Sequence, residues 1–238
     1  MIQAILTDIE GTTTDIHFVH KILFPYSRLK MADFLEKNYK KPEIAAQIHL
    51  VQQLMSKPQA TLSAITAQLT EWIDCDMKIG PLKVLQGYIW QQGFEQGEFK
   101  AHVYDDAYYQ LLQWYNQGIT LYVYSSGSRK AQQLLFEYSI FGDMRYLFNE
   151  YFDTQVGAKK DPSSYKAILQ KLNLSGNEIM FLSDVVLELD AARENQIQTC
   201  LLNRQQEPIN ANAHHWVSRF DQIILEDSRR IDSYCQEP

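Results

Sequence analysis

Asp8 and Glu10 stand one residue apart at the end of a short apolar run, and Gly11, Thr12, Thr13 and Thr14 follow them. Two further polar groups have similar settings. Ser125-Ser126-Gly127-Ser128 follows Leu121-Tyr122-Val123-Tyr124, and Ser183-Asp184 follows Ile179-Met180-Phe181-Leu182. A basic loop, Gly157-Ala158-Lys159-Lys160-Asp161-Pro162, lies between them in sequence. A carboxylate such as Asp8 can attack phosphorus and form an aspartyl-phosphate. Ser125, with backbone N–H groups at a helix start, can hold phosphate oxygens. Lys159 can neutralise charge on the phosphate and on the attacking carboxylate. Asp184 with Asp8 can hold Mg²⁺, which takes a few carboxylates and fills its shell with substrate oxygens and water.

This chemistry requires one edge to gather all four pieces. Ala4-Ile5-Leu6 reads as a strand apolar on both faces, and Gly11 supplies a sharp exit. Ile119 to Tyr124, Ile179 to Leu182 and Thr199 to Leu202 read as further strands. Helices are expected over 104–116, 130–138, 163–172 and 188–195. Alternating strands and helices give an α/β fold with a doubly wound parallel sheet. Such sheets bind ligands at the carboxyl ends of their strands. From about Ile16 to Lys100 the chain reads as all-helical, with breaks at Lys41-Pro42 and Gly80-Pro81. The expected organisation is therefore a core of residues 1–15 and 101–238 with a helical cap of residues 16–100 inserted after the first strand. That cap is expected to form a lid over the strand ends.

Each polar group also has a plainer use. The serines at 125–128 and Asp184 are good N-caps, and Lys159 and Lys160 suit a solvated loop. Glu188 reads first as a surface residue of its helix and second as a supporting partner of the site. Phe24, Tyr26 and Trp90 can line an apolar pocket, but at helical spacing they read as core.

The chain has 238 residues, a formal net charge of −7, 45% apolar and 21% charged residues. This is the composition of a globular protein, and the acidic balance argues against general nucleic-acid binding. Cys75, Cys200 and Cys235 are far apart in sequence, which suits a reducing, cytoplasmic setting. Neither a signal peptide nor an apolar run of membrane-spanning length is read from the sequence.

The order Asp8-x-Glu10-Gly11-Thr12, then Ser125, Lys159 and Asp184, resembles the haloacid dehalogenase superfamily. Glu10 in place of the usual Asp, the Ser125–Ser128 quartet, Gly87 and the stretch from Gly93 to Tyr104 narrow this. They resemble the enolase-phosphatase (acireductone synthase) family of methionine salvage, over nearly the whole chain. The resemblance implies one Mg²⁺ per subunit and a cytoplasmic monomer. It implies a small phosphorylated diketone as substrate, with no nucleic-acid or membrane partner. That substrate, 2,3-diketo-5-methylthiopentyl-1-phosphate, would be enolised and then dephosphorylated. Asp8 would be nucleophile and metal ligand, and Glu10 would serve the metal and the acid–base step. Ser125 and Ser126 would bind substrate, Lys159 its phosphate side, and Asp184 would complete the metal site. Two departures are visible: Asp105 stands near where the family usually has Pro, and Asn203-Arg204-Gln205-Gln206 lacks a Pro-Gly after its arginine. The alternatives are a phosphatase of the superfamily acting on another small ester, and a non-catalytic Mg²⁺/phosphate-binding protein.

Overall fold

A computed structural model describes residues 1–206 and 214–225, so Cys235 lies outside the described residues. Two compact units emerge: Met1–Asp15, Val103–Ser126 and the described residues from Asp143 onward; and Ile16–His102 with Gly127–Gly142.

The first unit is built on a six-stranded, all-parallel sheet. Its strands are β1 (Ala4–Thr7), β2 (Thr120–Tyr124), β3 (Phe148–Phe152), β4 (Ile179–Ser183), β5 (Gln198–Leu202) and β6 (His215–Val217). The spatial order β3-β2-β1-β4-β5-β6 puts the first strand in the middle. All residues of β1 and β4 are buried, as expected for strands covered on both faces. Ala4, Leu6, Tyr124, Phe152 and Phe181 pack with Tyr165, Ile168 and Leu189 in one core cluster. The strand order reverses direction between β1 and β4, where an open α/β sheet presents its ligand crevice.

Two strands have no counterpart in the sequence reading. In β3, exposed Asn149 and half-buried Glu150 interrupt the apolar run. β6 is a three-residue edge strand whose His215 and Trp216 are exposed.

The second unit is helical among its described residues. A turn at Ile16–Phe18 and a π-helical stretch at Val19–Leu23 lead directly into α1 (Phe24–Asn38). The Phe24 N–H reaches back to the Val19 carbonyl, a wide turn that precedes Pro25, which has no N–H to give. Then come α2 (Pro42–Leu54), α3 (Leu62–Asp74) and α4 (Gly80–Glu95). The expected breaks at Pro42 and Pro81 prove to be helix starts, where a missing N–H costs nothing. Met31, Leu35, Val51, Ile65, Leu69, Leu85 and Ile89 form this unit's core. The Trp90 indole N–H donates to the Leu23 carbonyl at 2.8 Å, and Phe24 stacks on Trp90. Tyr26 meets Phe99 edge-on. These aromatics pack within their own unit.

Helix α5 (Asp105–Asn116) belongs to the sheet unit, whereas α6 (Arg129–Glu137) falls in the helical one. The remaining helices, α7 (Pro162–Leu172) and α8 (Val186–Arg193), precede and follow β4. No helix among the described residues is long and apolar enough to cross a membrane. Cys75 and Cys200 are both free thiols, the first exposed and the second buried.

Candidate active site

Strand register decides what gathers. Thr7 on β1 lies opposite Val123 on β2 and Leu182 on β4. Asp8 is therefore level with Tyr124 and Ser183, and Ser125 and Asp184 come one residue further along the same edge. The Asp8 N–H still donates to the Leu182 carbonyl at 2.9 Å, so the ladder holds Asp8 to its own first atom. Beyond it the loop winds tightly. The N–H groups of Thr12, Thr13 and Thr14 all donate to the Ile9 carbonyl, and the Thr13 hydroxyl donates to the carbonyls of Asp8 and Ile9. The Ile9 N–H donates to Asp8 Oδ1 at 2.7 Å, which fixes the carboxylate's rotation.

Lys159 reaches this edge from a loop held by three hydroxyls. The carbonyls of Gly157, Ala158 and Lys159 accept in turn from Tyr124, Ser164 and Tyr165, at 3.0, 2.8 and 2.7 Å. Gly157 has φ +137°, and a Cβ there would stand 2.1 Å from Ser164 Oγ. The cradle thus requires glycine. From it the Lys159 ammonium lies 2.7 Å from Asp8 Oδ1 and 2.6 Å from Glu188 Oε2, with all three side chains buried. Lys160 points outward and is exposed.

One ammonium faces two carboxylates here, and Asp184 stands beside them. Burial pushes the Asp8 carboxyl well above the usual carboxylate range against the pull of Lys159, and Glu188 and Asp184 add to the push. Burial likewise raises Asp184 to about 6, with Glu188 and Glu10 contributing. Burial pulls Lys159 down, but Asp8 and Glu188 more than offset it and hold the ammonium above its ordinary value. An excess of buried negative charge beside one lysine is a site prepared for a cationic or strongly hydrogen-bonding guest.

Asp184 shows where such a guest fits. It does not cap α8. Its Oδ1 is buried without a hydrogen-bond partner, and a side chain at Gly11 would strike its Oδ2 at 2.1 Å. Gly11, at φ +74°, therefore makes room for this carboxylate. Among the described residues no three His, Cys, Asp or Glu side chains converge as a ready metal cluster. Mg²⁺ does not require one, since it commonly takes one or two carboxylates and keeps water and substrate oxygens for the rest. Asp8 and the unpartnered Asp184 match that donor set.

The other expected site residues are placed as follows. Ser125 is buried at the end of β2, its N–H donating to the Phe152 carbonyl at 3.2 Å, and Ser126 is half-buried beside it. The capping role open to the serine quartet falls to Ser128, whose Oγ accepts from the Ala131 N–H. Glu10 is half-buried on the loop. The reading of Glu188 as a surface residue is wrong. It is buried, and its Oε2 takes both Lys159 and the Ser183 hydroxyl. Only its position in the first turn after a strand-end Ser-Asp hinted at this.

The family model of haloacid dehalogenase-like hydrolases matches residues 2–195. The chain is similar to "Enolase-phosphatase E1" of Pectobacterium carotovorum subsp. carotovorum (strain PC1), 48% identical over 225 residues, 94% of this chain and 98% of that one. Among solved structures, the UTR4 protein of Saccharomyces cerevisiae superposes with a TM-score of 0.79 at 31% identity, over 94% of this chain and 100% of that one. CbbY from Rhodobacter sphaeroides, in complex with phosphate, shares the fold at TM-score 0.58 and 15% identity, over 93% of this chain and 96% of that one.

Proposed function

Because the chain belongs to the haloacid dehalogenase-like hydrolases, and within them to the enolase-phosphatase family, we propose that it converts 2,3-diketo-5-methylthiopentyl-1-phosphate to the acireductone and phosphate. The observation that carries this reading is the buried Lys159 shared by Asp8 and Glu188, next to an Asp184 carboxylate with an unpartnered oxygen. We further place the enzyme in the cytoplasm as a monomer. The free thiols of Cys75 and Cys200 suit a reducing compartment.

The phosphate half-reaction follows from the contacts on Asp8. Lys159 and the Ile9 N–H both engage Oδ1. That leaves Oδ2 to attack phosphorus in line. The bond from phosphorus to the enol oxygen breaks, and Glu10 protonates the departing oxygen. Glu10 then takes a proton from water as the water attacks the aspartyl-phosphate, which restores Asp8. Lys159 offsets negative charge on Asp8 and on the phosphate, while Ser125 and Ser126 bind substrate oxygens. The Asp8 and Asp184 carboxylates would hold one Mg²⁺, with Glu10 serving the same site from the adjoining loop, and the ion would supply positive charge against the phosphate and the acidic cluster.

The test is to follow phosphate and enediol absorbance together from the diketo phosphate, with and without Mg²⁺. A rise of both only with Mg²⁺ is expected. Phosphate without enediol indicates a phosphatase for another ester, and neither product indicates a binding protein.

A metal-linked pH effect follows from the raised carboxyls. Below about pH 6 Asp184 holds a proton, and Asp8 holds one still higher, so Mg²⁺ must displace protons to bind. Added Mg²⁺ should raise the melting temperature more at pH 8 than at pH 5.5. Scanning calorimetry at the two pH values checks this, and an equal rise at both would remove the acidic pair from the metal site.

A further inference from the structure

Resting on the reading of Asp8, Lys159 and Asp184 as the reaction centre, we propose that Arg204 is a positioning residue that sets the geometry of the catalytic loop through the Thr12 carbonyl. Arg204 lies two residues past β5, in a segment that shows no chemistry of its own in the sequence. Its side chain is largely buried, and all three guanidinium nitrogens donate. Nε and Nη2 both donate to the Thr12 carbonyl, at 3.0 and 2.8 Å. Nη1 donates to Asp106 Oδ2 at 2.6 Å and to the Ser218 carbonyl at 3.2 Å. Asp106 Oδ2 in turn accepts from the Phe220 N–H at 2.7 Å. The guanidinium plane lies 4.1 Å from the centre of the Tyr104 ring.

The Tyr104 backbone continues the clamp, its N–H donating to the Thr13 carbonyl at 2.9 Å. Two successive carbonyls of the loop are thus held from outside by one cluster, Tyr104, Asp106 and Arg204. The loop's inner N–H groups are already spent on Ile9. Arg204 therefore anchors the outward side of the winding that presents Asp8 and Glu10. The anchored Thr12 directly follows Gly11, which packs against the Asp184 carboxylate so closely that a single added carbon would collide. A small shift of the Thr12–Thr13 peptide is carried through Thr12 to Gly11, moves Gly11 against Asp184 and changes how Asp184 and Asp8 share a guest. A rigid fork gives direction as well as attraction, and lysine cannot reproduce it.

The test compares wild type, Arg204→Lys and Arg204→Ala. Lysine keeps the charge beside Asp106 but not the two-pronged hold on Thr12. For Arg204→Lys, kcat is expected to fall about 10- to 100-fold, the scale of a misplaced catalytic group, with KM changed less than about threefold. Mg²⁺ affinity, measured by calorimetry without substrate, should weaken by about tenfold or more, the effect of one lost outer-shell partner. Methylguanidinium added to Arg204→Ala should restore part of the lost kcat. If both variants fold and keep kcat and Mg²⁺ affinity within about twofold of wild type, the proposal fails. It fails equally if only the melting temperature drops, since that marks a purely structural anchor. Should Arg204→Ala not fold, Arg204→Lys decides alone. Should wild type not turn over the diketo phosphate, the functional reading falls, and Mg²⁺ calorimetry on wild type and Arg204→Lys still decides this one.

Discussion

Asp8→Asn is expected to lose phosphate release by about four orders of magnitude or more, the scale seen when a nucleophile is removed, while melting at or above the wild-type temperature without metal. The stability half of this expectation follows from charge. Lys159 serves Asp8 and Glu188 at once. An amide at residue 8 leaves one ammonium facing one carboxylate in that buried contact, and its oxygen can still accept from the Ile9 N–H. Burial raises the Asp8 carboxyl in the fold, so ionising it works against folding. The cost is absent below the unfolded value near 4 and grows as pH rises through the raised folded value. The variant's advantage should therefore be larger at pH 8 than at pH 5. Added Mg²⁺ should reverse the order, because wild type gains a bound cation and the variant loses a ligand. Melting curves at two pH values, with and without Mg²⁺, alongside phosphate release, check each part. Native-rate phosphate release from the variant would end the covalent mechanism.

Lys159→Met removes the opposite partner and should have the opposite effect. Two carboxylates then remain buried in direct neighbourhood without their cation. Breaking a buried pair by deleting one partner costs about 3–5 kcal/mol, and that is the loss expected near pH 8. The sign with pH is again fixed. Burial raises the Asp8 carboxyl, and in the variant the ammonium that opposes this is gone, so protonating Asp8 relieves the folded state. The deficit should shrink as pH falls toward about 4 and be fully present above the raised folded value of Asp8. Phosphate release should fall by about 10³-fold, the upper end for losing one preorganised electrostatic partner. Chemical denaturation at pH 5 and pH 8 measures the first effect. An equal deficit at both pH values would show that packing around Lys159, not its charge, supports the site.

Much of this centre is legible in sequence because each part ends a strand. Apolar runs stop at Asp8, Ser125 and Asp184, and parallel register brings those stops to one edge without further information. Lys159 is distinguished from Lys160 by a loop whose glycine fixes the chain's direction. Glu188 is hidden because an acid in a first helical turn looks the same whether it faces water or a lysine. Arg204 is hidden for another reason. Its partners Asp106 and Thr12 lie 98 and 192 residues away in sequence, beyond any local pattern. The edge strands β3 and β6 escape notice because their polar or exposed residues break the buried-strand pattern. The central strands carry the chemistry and the strong signal together, since both need burial on two faces.

The central place of β1 also bears on how the protein is made. Asp8 is made before the rest of this sheet, yet β1 has neighbours only at β2 and β4, and β4 begins at Ile179. Loops that long close slowly and are compensated only by late contacts. The helical stretch between Ile16 and His102 is dominated by local contacts and can gather meanwhile. A nascent chain therefore carries Asp8 without Lys159 or Asp184 beside it until β4 has been made. The proposed site is complete only once β4 and the turn after it have been made, rather than building up along the way.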